Sequence, residues 1–388
     1  MKPFRDVTVP SRRFKVLTII DTLVLGGAER VAVETAAALD RTRFTPHLLV
    51  TRTGGPLEAV AEEARLPYTI LGRTQKLSPR AAARARRVAV GADIVHAHGF
   101  GSNVWGAVLA AFLRCRFVAH VHKGSEERPM LERVLYRYLI ARAATHVLCV
   151  SDAVRRSLER DGIQGNLVHF PNAVRTDDIL PREQAREALG LPQQAYVIGT
   201  VGALRPEKAQ RVLFEAACTL TDAAELVVCV VGEGPEERTL RNLVTSLGLD
   251  ERVIWAGARS DAPRLLSAFD VAVTSSTWEG LPLSVLEAMA AGVPVVASAV
   301  GGLPELLAGG GGVLVRPGDA SELADAIEKL KSSPERATAM GRDGRRIVEE
   351  SYGFERLIKR LEGIYADSIA SDHRRPRGRA AASSPARD

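Results

Sequence analysis

The stretch Ser275-Ser276-Thr277-Trp278-Glu279-Gly280-Leu281-Pro282-Leu283-Ser284-Val285-Leu286-Glu287-Ala288-Met289-Ala290-Ala291-Gly292-Val293-Pro294 reads as the end of a strand, a loop, a short helix and a stop. Pro282 suits a first helical turn, where its missing N–H would lack a partner anyway. The amides around Leu283 to Val285 are then free to meet an anion, and a diphosphate is the natural guest. Glu279 falls in the loop and Glu287 in the second turn, so two carboxylates approach a ligand from different directions, one for a polar body and one for a diol such as ribose. An isolated Glu287 would be read as the partner of a surface base; inside this pattern it is a binding candidate.

Working outward, short β-branched runs alternate with helical patterns along the chain. Val16–Ile20, His47–Val50, Ile94–Ala97, Phe117–Val121 and His146–Val150 have the length and composition of buried parallel strands. Ala28–Leu39, Leu57–Ala64, Arg80–Val90, Val104–Leu113 and Leu131–Ala144 read as the helices between them. After a polar connector carrying Pro181 and Pro192 the alternation restarts, with strands expected at Tyr196–Val201, Leu226–Val231, Val253–Ala256, Val271–Thr274, Val295–Ala297 and Gly312–Val315. Helices are expected at Val212–Leu220, Glu236–Leu247, Ala262–Phe269, Pro282–Ala291 and Glu322–Lys331. The fold class is therefore α/β, with two Rossmann-like domains facing a central cleft. The expected division is residues 1–175, residues 176–353, a last helix over residues 354–370, and a disordered basic tail over residues 371–388.

Composition narrows the function. A chain of 388 residues, 46% hydrophobic and 25% charged, is ordinary for a globular protein of two or three domains. Its four cysteines are widely spaced, without C-x-x-C or histidine at ligand spacing, which points to neither a disulfide framework nor a zinc site and fits a reducing cytoplasm. Met1 to Arg13 lacks the apolar core of a secretion signal, and the longest uncharged stretch, Ala288 to Pro304, is broken by glycine and proline. The net charge of +6 is no sign of nucleic-acid binding: the tail holds five Arg against two Asp, or +3, which leaves +3 for all the rest.

The Glu279 to Glu287 spacing, E-x7-E with Gly-Leu-Pro inside and Glu-Ala-Met-Ala-Ala-Gly-Val-Pro-Val-Val after, resembles the retaining glycosyltransferases of family 4, the group 1 enzymes of GT-B fold. The likeness runs on through Gly301-Gly302-Leu303-Pro304-Glu305, Val231-Gly232-Glu233-Gly234-Pro235, Pro171-Asn172-Ala173-Val174 and Val201-Gly202-Ala203-Leu204-Arg205-Pro206-Glu207-Lys208, reaching to about residue 370. It implies a nucleotide-sugar donor held mainly by the C-terminal domain, an acceptor held mainly by the N-terminal one, and a final helix that crosses back. It further implies that Glu287 holds the ribose hydroxyls and that Glu279 with Gly280, Leu281, Pro282 and Leu283 meets the donor sugar. Gly202, Arg205 and Lys208 look like the family's diphosphate clamp, although Ala203 stands where Arg is usual and Ala209 where Gly is usual, so Arg205 would have to deliver the guanidinium.

In the first domain Gly26 and Gly27 follow a strand and open a helix, allowing close approach of backbone to phosphate, and the resemblance places the donor there. His96, His98, His120 and His122 alternate along two strand ends; without Cys or Asp partners they make a poor metal site, and the resemblance singles out His122 for the donor-sugar side of the cleft, leaving the others structural or acceptor-facing. No D-x-D occurs, so neither a metal nor a cofactor is expected, and the catalytic candidates are Glu279, His122, Arg205 and Lys208. The expected reaction transfers a sugar, with a uridine diphosphate donor favoured, to a lipid-linked or cell-envelope glycan. The alternatives are a soluble small acceptor, a noncatalytic nucleotide-sugar binder, and a phosphorylase or epimerase on the same fold. Arg80, Arg84 and Arg87 share one helical face within the basic run Arg73 to Arg87, which suggests a peripheral contact with an anionic membrane surface through that face, with Leu77, Ala81, Ala85 and Val88 as a small apolar one.

Overall fold

The computed structural model describes residues 12–75, 78–124, 128–220 and 226–370. The expected basic tail, the first eleven residues and, within the basic run, Lys76 and Leu77 lie outside the described residues.

Two all-parallel sheets organise the chain. The first comprises β1 (Phe14–Thr22), β2 (Phe44–Thr53), β3 (Tyr68–Ile70), β4 (Ile94–His98), β5 (Arg116–Val121), β6 (His146–Cys149) and β7 (Leu167–His169), in the order β3-β2-β1-β4-β5-β6-β7. The second comprises β8 (Tyr196–Val201), β9 (Leu226–Val231), β10 (Val253–Gly257), β11 (Val271–Thr274), β12 (Val295–Ser298) and β13 (Gly312–Val315), in the order β10-β9-β8-β11-β12-β13. Central strands such as β4 and β9 are buried almost end to end, because helices cover both sheet faces, and this is why they read as continuous β-branched runs. Each sheet reverses its winding beside its first strand, between β1 and β4 and between β8 and β11, and the crevice outside the strand ends at such a switch is where α/β sheets take ligands. These are the two Rossmann-like domains expected.

The local differences from expectation have physical reasons. The three-residue strands β3 and β7 are too short for a periodicity signal, yet they flank the first sheet. The expected helix at Leu131–Ala144 is an α-helix at Met130–Leu135, a π turn at Tyr136–Ile140 and one last α turn at Ala141–Ala143. Within it Tyr136 is buried, its ring under Arg128 and its hydroxyl bonded by Asn103 Nδ2. Pro282 is not the first helical residue but the extended cap (ψ 128°) before the helix Leu283–Ala290.

The helix Phe354–Ala370 lies against the first sheet. Tyr365 sits edge-on to Phe44 and its hydroxyl is 2.7 Å from His96 Nδ1, while Glu362 Oε1 accepts the Asp40 N–H at 2.8 Å. The chain returns from the second sheet to the first at Val174, whose amide donates to the Tyr352 carbonyl and whose carbonyl accepts from Phe354. No helix among the described residues is long and apolar enough to cross a membrane.

Candidate active site

The cleft between the sheets is built from four segments. The turn after β1 runs through Gly26 and Gly27 into the helix Gly27–Ala37. The loop after β8 carries Gly202, Arg205 and Lys208, and the loop after β11 carries Ser275 to Leu281 before the helix Leu283–Ala290. The ends of β4 and β5 bring His98 and His122.

Two helix starts face each other here. Neither Gly26 nor Pro282 caps its helix with a side chain, and a β-carbon on Gly27 would stand 4.0 Å from Leu283 Cδ1, so the two N-termini meet across the cleft. Helix N-termini with unspent N–H donors and a positive dipole end are anion sites, and two together match a doubly charged group. Gly280 is required where the two halves touch, since a β-carbon there would overlap the His122 carbonyl oxygen. Nearby, the Asn172 side chain donates to the Leu281 carbonyl at 2.7 Å, which ties the first half to the motif loop.

Glu279 is buried with one oxygen, Oε1, held twice: by Lys208 Nζ at 2.6 Å and by the Ser276 hydroxyl at 2.6 Å. The Lys208 end of this pair keeps partial contact with solvent, so its ammonium is open to a ligand entering the cleft. Ser275 in turn donates to the Lys208 and Ala209 carbonyls, and Ala209 adopts a left-handed backbone (φ 46°), the conformation for which glycine would be the natural residue. Arg205 is exposed on the same loop, and its charge reaches Glu29 at the start of the opposite helix. Burial raises the Glu29 carboxyl above its ordinary range, against the lowering effects of a backbone bond, Thr22 and Arg205.

Glu287 is buried and lies on the face toward the first domain. Its Oε1 pairs with Arg30 Nη2 at 2.5 Å, across the cleft from the first domain. Burial raises the Glu287 carboxyl above its ordinary range, and the charge and hydrogen bond of Arg30 offset only part of that rise. The Arg30 guanidinium, though desolvation works against it, is held charged by Glu287 and by Glu34, whose Oε1 accepts from Nε at 2.9 Å. Sequence reasoning missed Arg30. The only signal available was its place three residues into the helix after the double glycine, on the same face as Glu34.

His122 lines the cleft edge, with Nε2 3.2 Å from His98 Nδ1, and desolvation pushes its pKa down to about 4. His96, His98 and His120 continue inward as a buried stack in which one nitrogen from each lies within 4.8 Å of the others, the arrangement of a possible metal cluster. The rings of His96 and His120 are stacked at 10°, so their in-plane lone pairs run side by side instead of converging on one point. Also unforeseen is Asp21 at the end of β1: it takes Thr51 at 2.5 Å and Arg73 at 2.9 Å, which draws Arg73 away from the basic helix and over Trp105.

The expectation for that helix needs correcting. In Pro79–Ala89, Arg80, Arg84, Arg86 and Arg87 are exposed as expected, but Ala81, Ala85 and Ala89 are buried in the core and Val88 packs against it. The apolar face is used by the fold and has none left to insert. Beside it lie exposed Val90, Val108 and Phe112, with Arg86 over the Phe112 ring.

A cleft of about 720 Å³ adjoins Glu279, walled by Gly124, Ala153, Arg156 and Trp278. Comparison with known proteins agrees with this arrangement. Residues 25–178 match the model of Glycosyltransferase Family 4 and residues 181–347 that of Glycosyl transferases group 1. The chain is 30% identical to the putative glycosyltransferase EpsD of Bacillus subtilis, over 72% of this chain and 78% of that protein. It is 25% identical to the Escherichia coli UDP-Gal:alpha-D-GlcNAc-diphosphoundecaprenol alpha-1,3-galactosyltransferase, over 72% and 76%. Among solved structures, Anabaena HepE in complex with UDP and glucose superposes with a TM-score of 0.83 at 23% identity, covering 92% of this chain and all of that one. Two parallel sheets facing one cleft, with the motif pair Glu279 and Glu287 on its second half, and these matches over nearly the whole described chain establish that the protein belongs to the group 1, family 4 glycosyltransferases of GT-B fold.

Proposed function

We propose that this chain transfers a hexosyl group from a uridine diphosphate sugar to a hydroxyl of a lipid-linked or cell-envelope glycan, with retention at the anomeric carbon and without a metal ion. The observation that carries the reading is the pair of uncapped helix starts at Gly27 and Leu283, met by Lys208. In this reading the diphosphate lies between those helix starts, beside Gly26, Gly27 and Gly202, with Arg205 and Lys208 taking up the charge that grows on it. Glu287 accepts from the ribose hydroxyls, and Glu279 with Gly280, Leu281, Pro282 and Leu283 frames the sugar, with His122 opposite. The bond from the anomeric carbon to the diphosphate oxygen breaks, the acceptor oxygen bonds to that carbon on the same face, and the acceptor proton passes to the departing phosphate. The E. coli relative, by its name, uses a UDP-galactose donor and a polyprenol-linked acceptor, which supports both halves of the proposal.

The experiment is donor turnover with Glu287→Ala as the control. Loss of charge-assisted bonds to the diol should weaken donor binding by about 3 kcal/mol, roughly a hundredfold. Product NMR should show the anomeric configuration kept, and excess chelator should leave the rate unaltered. Unchanged donor affinity in the variant, or inversion, refutes the reading.

One observation favours a second acceptor class. Arg156 on the cleft wall beside Trp278 and Glu279 would suit a small soluble acceptor bearing a carboxylate or phosphate. Competition by small anionic polyols against a lipid-linked acceptor would separate the two.

A further inference from the structure

Arg30 reaches from the first domain to Glu287 in the second. Two features make the contact unusual. Glu287 is buried, and the Arg30 guanidinium that reaches it at 2.5 Å comes from the other domain. Arg30 is itself held by Glu34 at 2.9 Å, one helical turn on, which orients the guanidinium while leaving Nη2 toward Glu287.

We propose that Arg30 is a positioning residue for the donor, keeping the Glu287 carboxylate ionised and fixed across the cleft so that both its oxygens accept from the ribose diol. The inference rests on the donor reading above. A carboxyl buried this deeply would otherwise hold its proton, and a protonated carboxyl is a poor acceptor for two hydroxyls. Arg30 supplies the opposing charge from outside the helix that carries Glu287, so this compensation depends on the two domains being together. The surrounding groups leave this task to Arg30. Glu34 opposes it by repelling Glu287. The helix Pro334–Ser351 meets the Glu287 helix through glycines, with Gly344 beside Met289. The segment 262–268 turns its Arg264 to Asp178.

The test is the pH dependence of UDP-glucose binding to the full chain, by titration calorimetry from about pH 5.5 to about pH 8.5, a window above the ordinary carboxylate range. UDP-glucose is the probe because its diester phosphates keep their charge throughout. Wild-type affinity should vary less than about twofold, since Arg30 opposes the rise that burial gives the Glu287 carboxyl. In Arg30→Met the Glu287 proton must be shed on binding, so affinity should fall about tenfold or more at the acid end and recover toward the alkaline end. Arg30→Lys should restore the flat profile, and Arg30→Met with Glu287→Gln should bind weakly with no pH dependence, which identifies Glu287 as the titrating group. A flat profile in Arg30→Met with intact thermal unfolding overturns the inference while leaving the donor reading standing. Failure of the wild type to bind UDP-glucose overturns the donor reading and this inference with it.

Discussion

Lys208→Met tests the heart of the proposed chemistry, because Lys208 pairs with Glu279 in the structure and is proposed to meet the leaving diphosphate. It neutralises Glu279, whose side chain is only 6% exposed, across 2.6 Å. At an effective dielectric near 20 the direct attraction at this distance is about 6 kcal/mol, most of it offset by the cost of taking the carboxylate out of water. Because the lysine end is 28% exposed, solvent screens the pair and the net contribution to stability should be only about 1–2 kcal/mol. Methionine keeps the length and apolar stem, so the loss reports the charge. Glu279→Gln in the same background should recover part of it, because the buried carboxylate left without its cation is then gone. Catalysis should suffer far more: a cation that meets charge developing on the leaving diphosphate contributes about 100-fold to 1,000-fold in kcat, with a smaller effect on donor KM. Steady-state kinetics with saturating donor and urea unfolding of the two single variants and the double variant measure both parts. A kcat lowered less than about threefold by Lys208→Met would refute the leaving-group role, whatever the stability result.

The remaining predictions concern strain, protons and the surface. Ala209→Gly should stabilise the chain by about 0.5–1 kcal/mol in denaturant unfolding, since the left-handed backbone at φ 46° costs a side-chain-bearing residue more than glycine loses in entropy; a loss of stability would show that the strain is not borne there. The histidine stack should make the protein acid-sensitive: desolvation pushes His96 to about 3 and His122 to about 4, so the unfolded chain binds protons that the folded chain refuses. Stability from these groups is then complete above about pH 6.5 and lost as pH falls, by up to about 3 kcal/mol per histidine near pH 4. His120→Leu, which removes a ring whose two nitrogens have no partner, should flatten that loss in urea unfolding at graded pH, and an unchanged slope would count against it. Co-sedimentation with vesicles should show binding to anionic but not neutral bilayers, falling with salt and weakened by Arg80→Glu with Arg84→Glu. Because Ala81 and Ala85 are buried, that contact would be electrostatic with help from Phe112, and a wild type left in the supernatant at low salt would refute it.

What the sequence determined by itself was local. The β-branched runs, their spacing and the Glu279 to Glu287 motif were legible because each depends on neighbours within a few residues: parallel strands buried on both faces must be apolar throughout, and a loop that opens a helix with free amides must carry glycine and proline at set places. The three-residue strands β3 and β7 escaped because they are formed by pairing with β2 and β6 and not by any pattern of their own. Tertiary structure alone decided which charges meet. Arg73 belongs to a basic run in sequence but to Asp21 in space, and the alanines of the basic helix, apolar enough to suggest insertion, are buried against the core. His98 and His120 became neighbours only through the register of β4 on β5, and Arg30 met Glu287 only when two sheets, each folded around its own core, set one helix start against the other. Coulomb interaction falls with distance in space and desolvation depends on what covers a group, and neither quantity is written in the order of residues along the chain.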